Sequence, residues 1–113
     1  MEKIESITFT KRHVTQRVAD KLDVPVSQMK VPVDTVFEVL REIMSLDHPK
    51  LRVEIRNFGV FEVKPTKAKP RARNPRTNEE VYVPARRKSH FKPGRLLRSV
   101  LRQPLDLSRI SGD

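Results

Sequence analysis

At 113 residues the chain has room for one domain, and a lone domain of that size buries only a modest core. Hydrophobic residues make up 36% and charged residues 34%, polar for a globular protein, yet regular apolar spacing in several stretches excludes wholesale disorder. The absence of cysteine excludes a disulfide framework and a thiolate metal site.

The net charge is +10, and its distribution is more telling than its size. Residues 1–49 carry 7 basic and 8 acidic side chains, whereas residues 50–102 carry 16 and 4. A merely solubilising surface would spread such an excess, while a surface for a polyanion concentrates it. No apolar run approaches the roughly 20 residues needed to cross a bilayer, and the N-terminus lacks a signal-peptide core. The expectation is a cytoplasmic protein with no membrane partner. His13, His48 and His90 are isolated in sequence, and no phosphate-cradling glycine loop occurs, so neither a metal, a cofactor nor a small-molecule substrate is expected.

Residues 1–9 hold only scattered apolar residues and read as a loose extension or a short clasp. Thr10 is placed to cap a helix in which Val14, Val18 and Leu22 recur every fourth residue beside Ala19, ending near Asp23 ahead of Pro25. Val33, Val36, Phe37, Leu40, Ile43 and Met44 then keep to one face of a second, amphipathic helix. Its start is ambiguous between Ser27 and Pro32, and a helical turn at 27–31 with a kink or restart at Pro32 is predicted. After Asp47-His48-Pro49, the alternation of Leu51, Val53 and Ile55 with Arg52, Glu54 and Arg56 is that of a half-buried strand. Asn57-Phe58-Gly59 turns it into a partner strand carrying Phe61 and Val63.

Residues 65–84 are poor in large apolar side chains, and Lys67, Lys69, Arg71 and Arg73 fall at every second position, which predicts one cationic strand face opposite Ala68, Pro70 and Ala72. Pro65, Pro70 and Pro84 suit a two-stranded ribbon with free edges. A turn at residues 74–78 and a return through Val81-Tyr82-Val83 complete a protruding arm. Arg86, Arg87 and Lys88 lead back to the body, Pro93 is placed to start a last helix with Leu96, Leu97, Val100 and Leu101, and Pro104 ends it. Residues 103–113 form a short tail in which Leu105, Leu107 and Ile110 are the candidates for packing as a single turn. The fold class is α+β: two N-terminal helices, a three-stranded antiparallel sheet with a long arm, and a short C-terminal helix. The division is 1–9, 10–102 and 103–113.

Asn57-Phe58-Gly59-Val60-Phe61, Arg73-Asn74-Pro75-Arg76-Thr77 and Phe91-Lys92-Pro93-Gly94-Arg95, in that order, resemble motifs of the HU and integration host factor family of bacterial DNA-bending proteins. The family has Gly-Phe-Gly-x-Phe, an Arg-Asn-Pro-x-Thr-Gly arm tip and a Phe-x-Pro-Gly ending. Asn57 and Asn78 stand where it usually has Gly, and Asn is the next-best residue for positive φ.

The resemblance implies an intertwined dimer whose core includes Phe37, Leu40, Met44, Phe58, Phe61 and Phe91, with an identical chain as the expected partner and a different subunit as the alternative. It also implies a nucleoid-associated architectural protein that holds the minor groove of duplex DNA. Lys67, Lys69, Arg71, Arg73, Arg76, Arg86 and Lys88 would form the cationic track, with Asn74 and Thr77 at the tip and Arg95 at the last helix holding a phosphate. Pro75 would wedge between base pairs and bend the duplex, a device for which HU and integration host factor are themselves standard examples.

A basic ribosomal-type RNA-associated protein is the alternative, although a wedge-tipped arm suits B-form DNA better than the wide, shallow groove of an A-form duplex. An enzyme is not expected: Glu79 and Glu80 are adjacent, point to opposite strand faces and so make no acid–base pair.

Overall fold

The computed structural model describes residues 4–106. Its elements are α1 (Lys11–Leu22), α2 (Val26–Met44), β1 (Leu51–Ile55), β2 (Gly59–Pro65), β3 (Lys69–Arg73), β4 (Glu80–Val83), β5 (Arg87–Pro93) and α3 (Arg95–Leu101). The chain divides into a helical unit ending at Ser45 and a sheet unit beginning at Leu46.

Thr10 caps α1 as predicted. Its backbone is extended, and its N–H donates to Nδ1 of His13 at 3.0 Å, so the third helical residue reaches back to a donor that the helix leaves free. Asp23 ends α1 in the left-handed conformation at φ 54°, and the Val24 N–H closes the turn on the Ala19 carbonyl at 3.0 Å. Before α1, residues 4–9 form no regular element. Phe9 nevertheless packs on the helix: its ring meets His13 edge-on at 5.6 Å, and the Arg17 guanidinium lies 5.2 Å from its centroid.

Helix α2 runs unbroken through Pro32, so the predicted restart does not occur. Pro32 deprives the Gln28 carbonyl of its usual donor. Gln28 is exposed, so that oxygen is left to water rather than buried. The two helices meet through Thr15, Ala19 and Val33, all buried, with Lys11 and Asp34 paired at 3.0 Å beside them. The Thr15 hydroxyl donates to the Lys11 carbonyl at 2.9 Å, satisfying the one polar group in this contact. Of the apolar series predicted for α1, Ala19 is buried and Val18 half-buried, whereas Val14 is 40% and Leu22 60% exposed.

In the sheet unit the alternation of β1 is realised, with Leu51, Val53 and Ile55 half-buried and Arg52 and Glu54 exposed. Asn57 takes φ 67° in the turn, the left-handed geometry that Asn tolerates better than most residues. The sheet order is β1-β2-β5, antiparallel throughout. Its register aligns Val53 with Phe61 and Phe61 with Phe91, while Glu62 lies between Arg52 and His90. One face is therefore apolar and the other charged. Phe61 and Phe91 stand 4.8 Å apart at their centroids, and Phe58 lies 5.2 Å from Phe91, a tilted aromatic cluster worth more than its buried area.

Pro93 ends β5 instead of starting the last helix: the Gly94 N–H bonds the Phe58 carbonyl at 2.8 Å, so α3 begins only at Arg95. It ends at Leu101, ahead of Pro104. Residues 103–106 form no helix and Leu105 is exposed, whereas Leu107 and Ile110 lie outside the described residues.

Among the described residues only Ala19, Val33 and Val63 are buried apolar side chains, and no large side chain is fully buried. Gly59 marks the tightest point of the sheet. A Cβ there would stand 2.5 Å from the Lys92 carbonyl oxygen and 2.7 Å from the Phe91 ring. Gly59→Ala is expected to destabilise the protein by about 1–3 kcal/mol through overpacking. Urea unfolding at a fixed protein concentration measures it, and an unchanged midpoint would contradict the packing described.

Candidate nucleic-acid interface

The arm leaves the three-stranded sheet at Pro65 and forms its own two-stranded sheet from β3 and β4. Thr66 pins its root. The Thr66 N–H donates to the Arg86 carbonyl at 2.7 Å, and the Arg86 N–H donates to the Thr66 hydroxyl at 2.9 Å. Pro65 and Pro84 flank this junction, where a missing N–H breaks no sheet ladder.

The pairing of β3 with β4 slips by one residue. Lys69 aligns with Val83, Ala72 with Val81 and Arg73 with Glu80. Pro70 and Arg71 together therefore oppose Tyr82, which is a β-bulge, placed where Pro70 cannot donate to the ladder. The predicted single cationic face is corrected accordingly. Lys69 shares a face with Ala72, Val81 and Val83, whereas Arg71 and Arg73 lie on the other with Tyr82 and Glu80. Counting alternate positions fails across a bulge.

The tip is held by its own hydrogen bonds. The Asn74 N–H donates to the Glu79 carbonyl at 2.9 Å and the Asn78 N–H to the Asn74 carbonyl at 2.7 Å, while Oδ1 of Asn74 accepts from the Arg76 N–H at 2.9 Å. Asn78 takes φ 59°, filling the place of the family's Gly. Arg73 donates to the Asn78 carbonyl at 3.0 Å and lies 3.8 Å from Glu80. These bonds hold Pro75 at an exposed apex between Arg73 and Arg76. At the root, a cleft of about 590 Å³ has Pro65, Ala72 and Val83 as its apolar wall and Lys67, Lys69 and Lys88 as its cations.

Residues 9–102 match the family model described as bacterial DNA-binding protein. The chain belongs to that family. It is 33% identical over 93 residues to the integration host factor subunit alpha of Actinobacillus succinogenes, covering 82% of this chain and 91% of the relative. It is 32% identical over 90 residues to the DNA-binding protein HU of Thermotoga maritima, covering 80% and 96%. An Anabaena HU solved as a cocrystal with DNA superposes with a TM-score of 0.72 at 31% identity, covering 85% of this chain and all of that one. The fold is thus the α+β fold of HU, and the family is one of DNA-binding proteins rather than an enzyme class. Among the described residues no helix is long and apolar enough to cross a membrane.

Of the residues singled out in the sequence, Lys67, Lys69, Arg71, Arg73, Pro75, Arg76, Thr77, Arg86 and Lys88 are exposed along the arm and its root, with Asn74 half-buried in the turn. Thr77 and Asn74 serve the turn itself, Thr77 accepting from the Glu79 N–H at 3.4 Å. Arg95 is exposed as the first residue of α3, apart from the arm in sequence. Phe37 is 42% exposed and Phe58 44%, while Leu40, Met44, Phe61 and Phe91 are half-buried.

Sequence reasoning missed the Thr66 pin, for which a lone loop threonine gives no signal. It also missed Arg87, whose guanidinium bonds the Leu46 and His48 carbonyls and so fastens the loop before β1 to the arm root. Glu62 was missed as well, although an acidic residue within the most basic segment is a visible anomaly. It is 5% exposed on the charged sheet face, with Lys64 at 3.0 Å and Lys92 at 3.1 Å. Hydrogen bonds from Lys64 and then Lys92 hold its carboxyl down to about 2, against the opposing effect of desolvation.

In the unfolded chain the same carboxyl titrates near 4.5, so as pH falls the unfolded state takes up the proton first. The stability Glu62 contributes is full above about pH 5 and is lost as pH falls towards 2. Glu62→Gln should therefore lower the thermal midpoint most at neutral pH, and the gap to wild type should close as pH approaches 2. Thermal melts across that range measure it, and a gap independent of pH would contradict the pairing.

Proposed function

We propose that the chain is an architectural, nucleoid-associated DNA-binding protein that works as a homodimer, grips the minor groove of duplex DNA with its two arms and bends the duplex by inserting Pro75. The observation that carries this reading is the tip: a rigid, exposed proline ring in a turn locked by five hydrogen bonds, with Arg73 and Arg76 beside it. A wedge works only if the turn does not yield when base pairs resist it, and unstacking one step costs a few kcal/mol. The restraints seen here meet that requirement.

The cations divide by place. Lys67, Lys69 and Lys88 at the root cleft hold phosphates where the arm leaves the body, while Arg71, Arg73 and Arg76 serve the outer half. With cations on both ribbon faces, an arm lying in a groove meets phosphates on either wall. None of these contacts reads bases, so selection among duplexes comes from how readily a site deforms. Arg95 adds a phosphate contact beside the body. The partner copy comes from the apolar surface that a single chain leaves open, Phe37 and Phe58 included. A cytoplasmic location follows from the DNA partner.

Energy transfer between the ends of a labelled duplex, read together with affinity, tests the proposal. Pro75→Ala is expected to reduce the bend clearly while weakening binding by less than about tenfold, because the phosphate contacts remain. An unchanged bend would contradict the wedge. Tighter binding to a duplex RNA of the same length would move the function to RNA.

A further inference from the structure

Tyr82 is the one aromatic residue of the arm. It is 66% exposed on β4, and it stands directly across from the bulge, opposed by both Pro70 and Arg71. Its strand neighbours Val81 and Val83 turn to the other face, where Val83 joins Ala72 in the wall of the root cleft. Tyr82 thus shares its face with Arg71, Arg73 and Glu80, the last paired with Arg73 at 3.8 Å, and leaves most of its ring in solvent. An aromatic ring left in water on a face with two arginines is poorly placed for stability and well placed for a ligand that has an apolar surface beside its phosphates.

We propose that Tyr82 is a DNA-contacting residue of the arm, its ring lying against the deoxyribose wall of the minor groove and its hydroxyl donating to a phosphate oxygen. The assignment rests on the arm reading above. The fit is chemical. Deoxyribose offers an apolar edge along the groove wall, and an exposed phenol is apolar along its body and polar at its end. The bulge supplies the orientation: the extra residue in β3 increases the local twist opposite Tyr82 and puts Arg71 across from it, so ring and guanidinium approach the same stretch of backbone. A tyrosine here gives grip without reading sequence, because every nucleotide carries the same sugar.

Tyr82 is the sole tyrosine and the chain has no tryptophan, so its emission reports on this one position without a label. Titrating the wild-type protein with an unlabelled B-form duplex is expected to change that emission, saturating at the stoichiometry found from the anisotropy of a labelled duplex. Tyr82→Ser is expected to bind about tenfold more weakly, and Tyr82→Phe, which loses only the hydroxyl, about threefold. Because the side chain is exposed, both variants should keep the wild-type circular dichroism.

The double variant Arg71→Ala with Arg73→Ala separates the two claims. If it loses affinity while Tyr82→Ser binds as tightly as wild type, the Tyr82 assignment is overturned and the arm reading stands. If both bind like wild type, the arm reading falls as well.

Discussion

Helix α2 leaves Val36, Phe37, Val39 and Ile43 open to solvent, α3 leaves Leu96, Val100 and Leu101 open, and the aromatic cluster of the sheet is only partly covered. That uncovered apolar surface is the constraint on which the rest of the structure depends. Burying one large side chain contributes roughly 1.5–3 kcal/mol, so a chain with no fully buried large side chain among its described residues has little to set against the entropy of ordering its backbone. The secondary structure nonetheless forms with consistent caps, turns and alternation. A second copy that covers these faces reconciles the two observations, and α1 likewise leaves Val14 and Leu22 exposed.

The arm depends on that body in a definite way. It carries no core of its own, and two strands alone are marginal in water. Its order comes from three local devices: the Thr66–Arg86 pin at the root, the bulge at Pro70-Arg71, and the hydrogen-bonded turn around Pro75. Pro65 and Pro84 stand where the arm leaves the main sheet, and Pro70 stands at the bulge. Placing them at the junctions and at the bulge leaves the cations exposed on both faces and the tip stiff. Arg73 braces that tip, donating to the Asn78 carbonyl and pairing with Glu80.

Much of this was legible in the sequence. Thr10, the alternation from Leu51 to Ile55, the two asparagines at positive φ and the tip motif each act through a local rule that needs no knowledge of distant residues. The failures share a cause. The bulge depends on cross-strand register, which residue spacing within one strand does not encode. Pro32 stayed inside α2 because its neighbours' helical pattern and the exposure of Gln28 outweighed a local penalty. The Glu62, Thr66 and Arg87 contacts join segments up to forty-one residues apart, beyond the reach of any motif.

Sedimentation equilibrium combined with thermal unfolding across a wide range of protein concentration tests the central claim most directly. If the open faces of α2, α3 and the sheet are the interface, the particle should have twice the 13.2 kDa chain mass, and the thermal midpoint should rise with concentration because folding and association are coupled. A folded particle of single-chain mass, with a midpoint independent of concentration, would contradict the account.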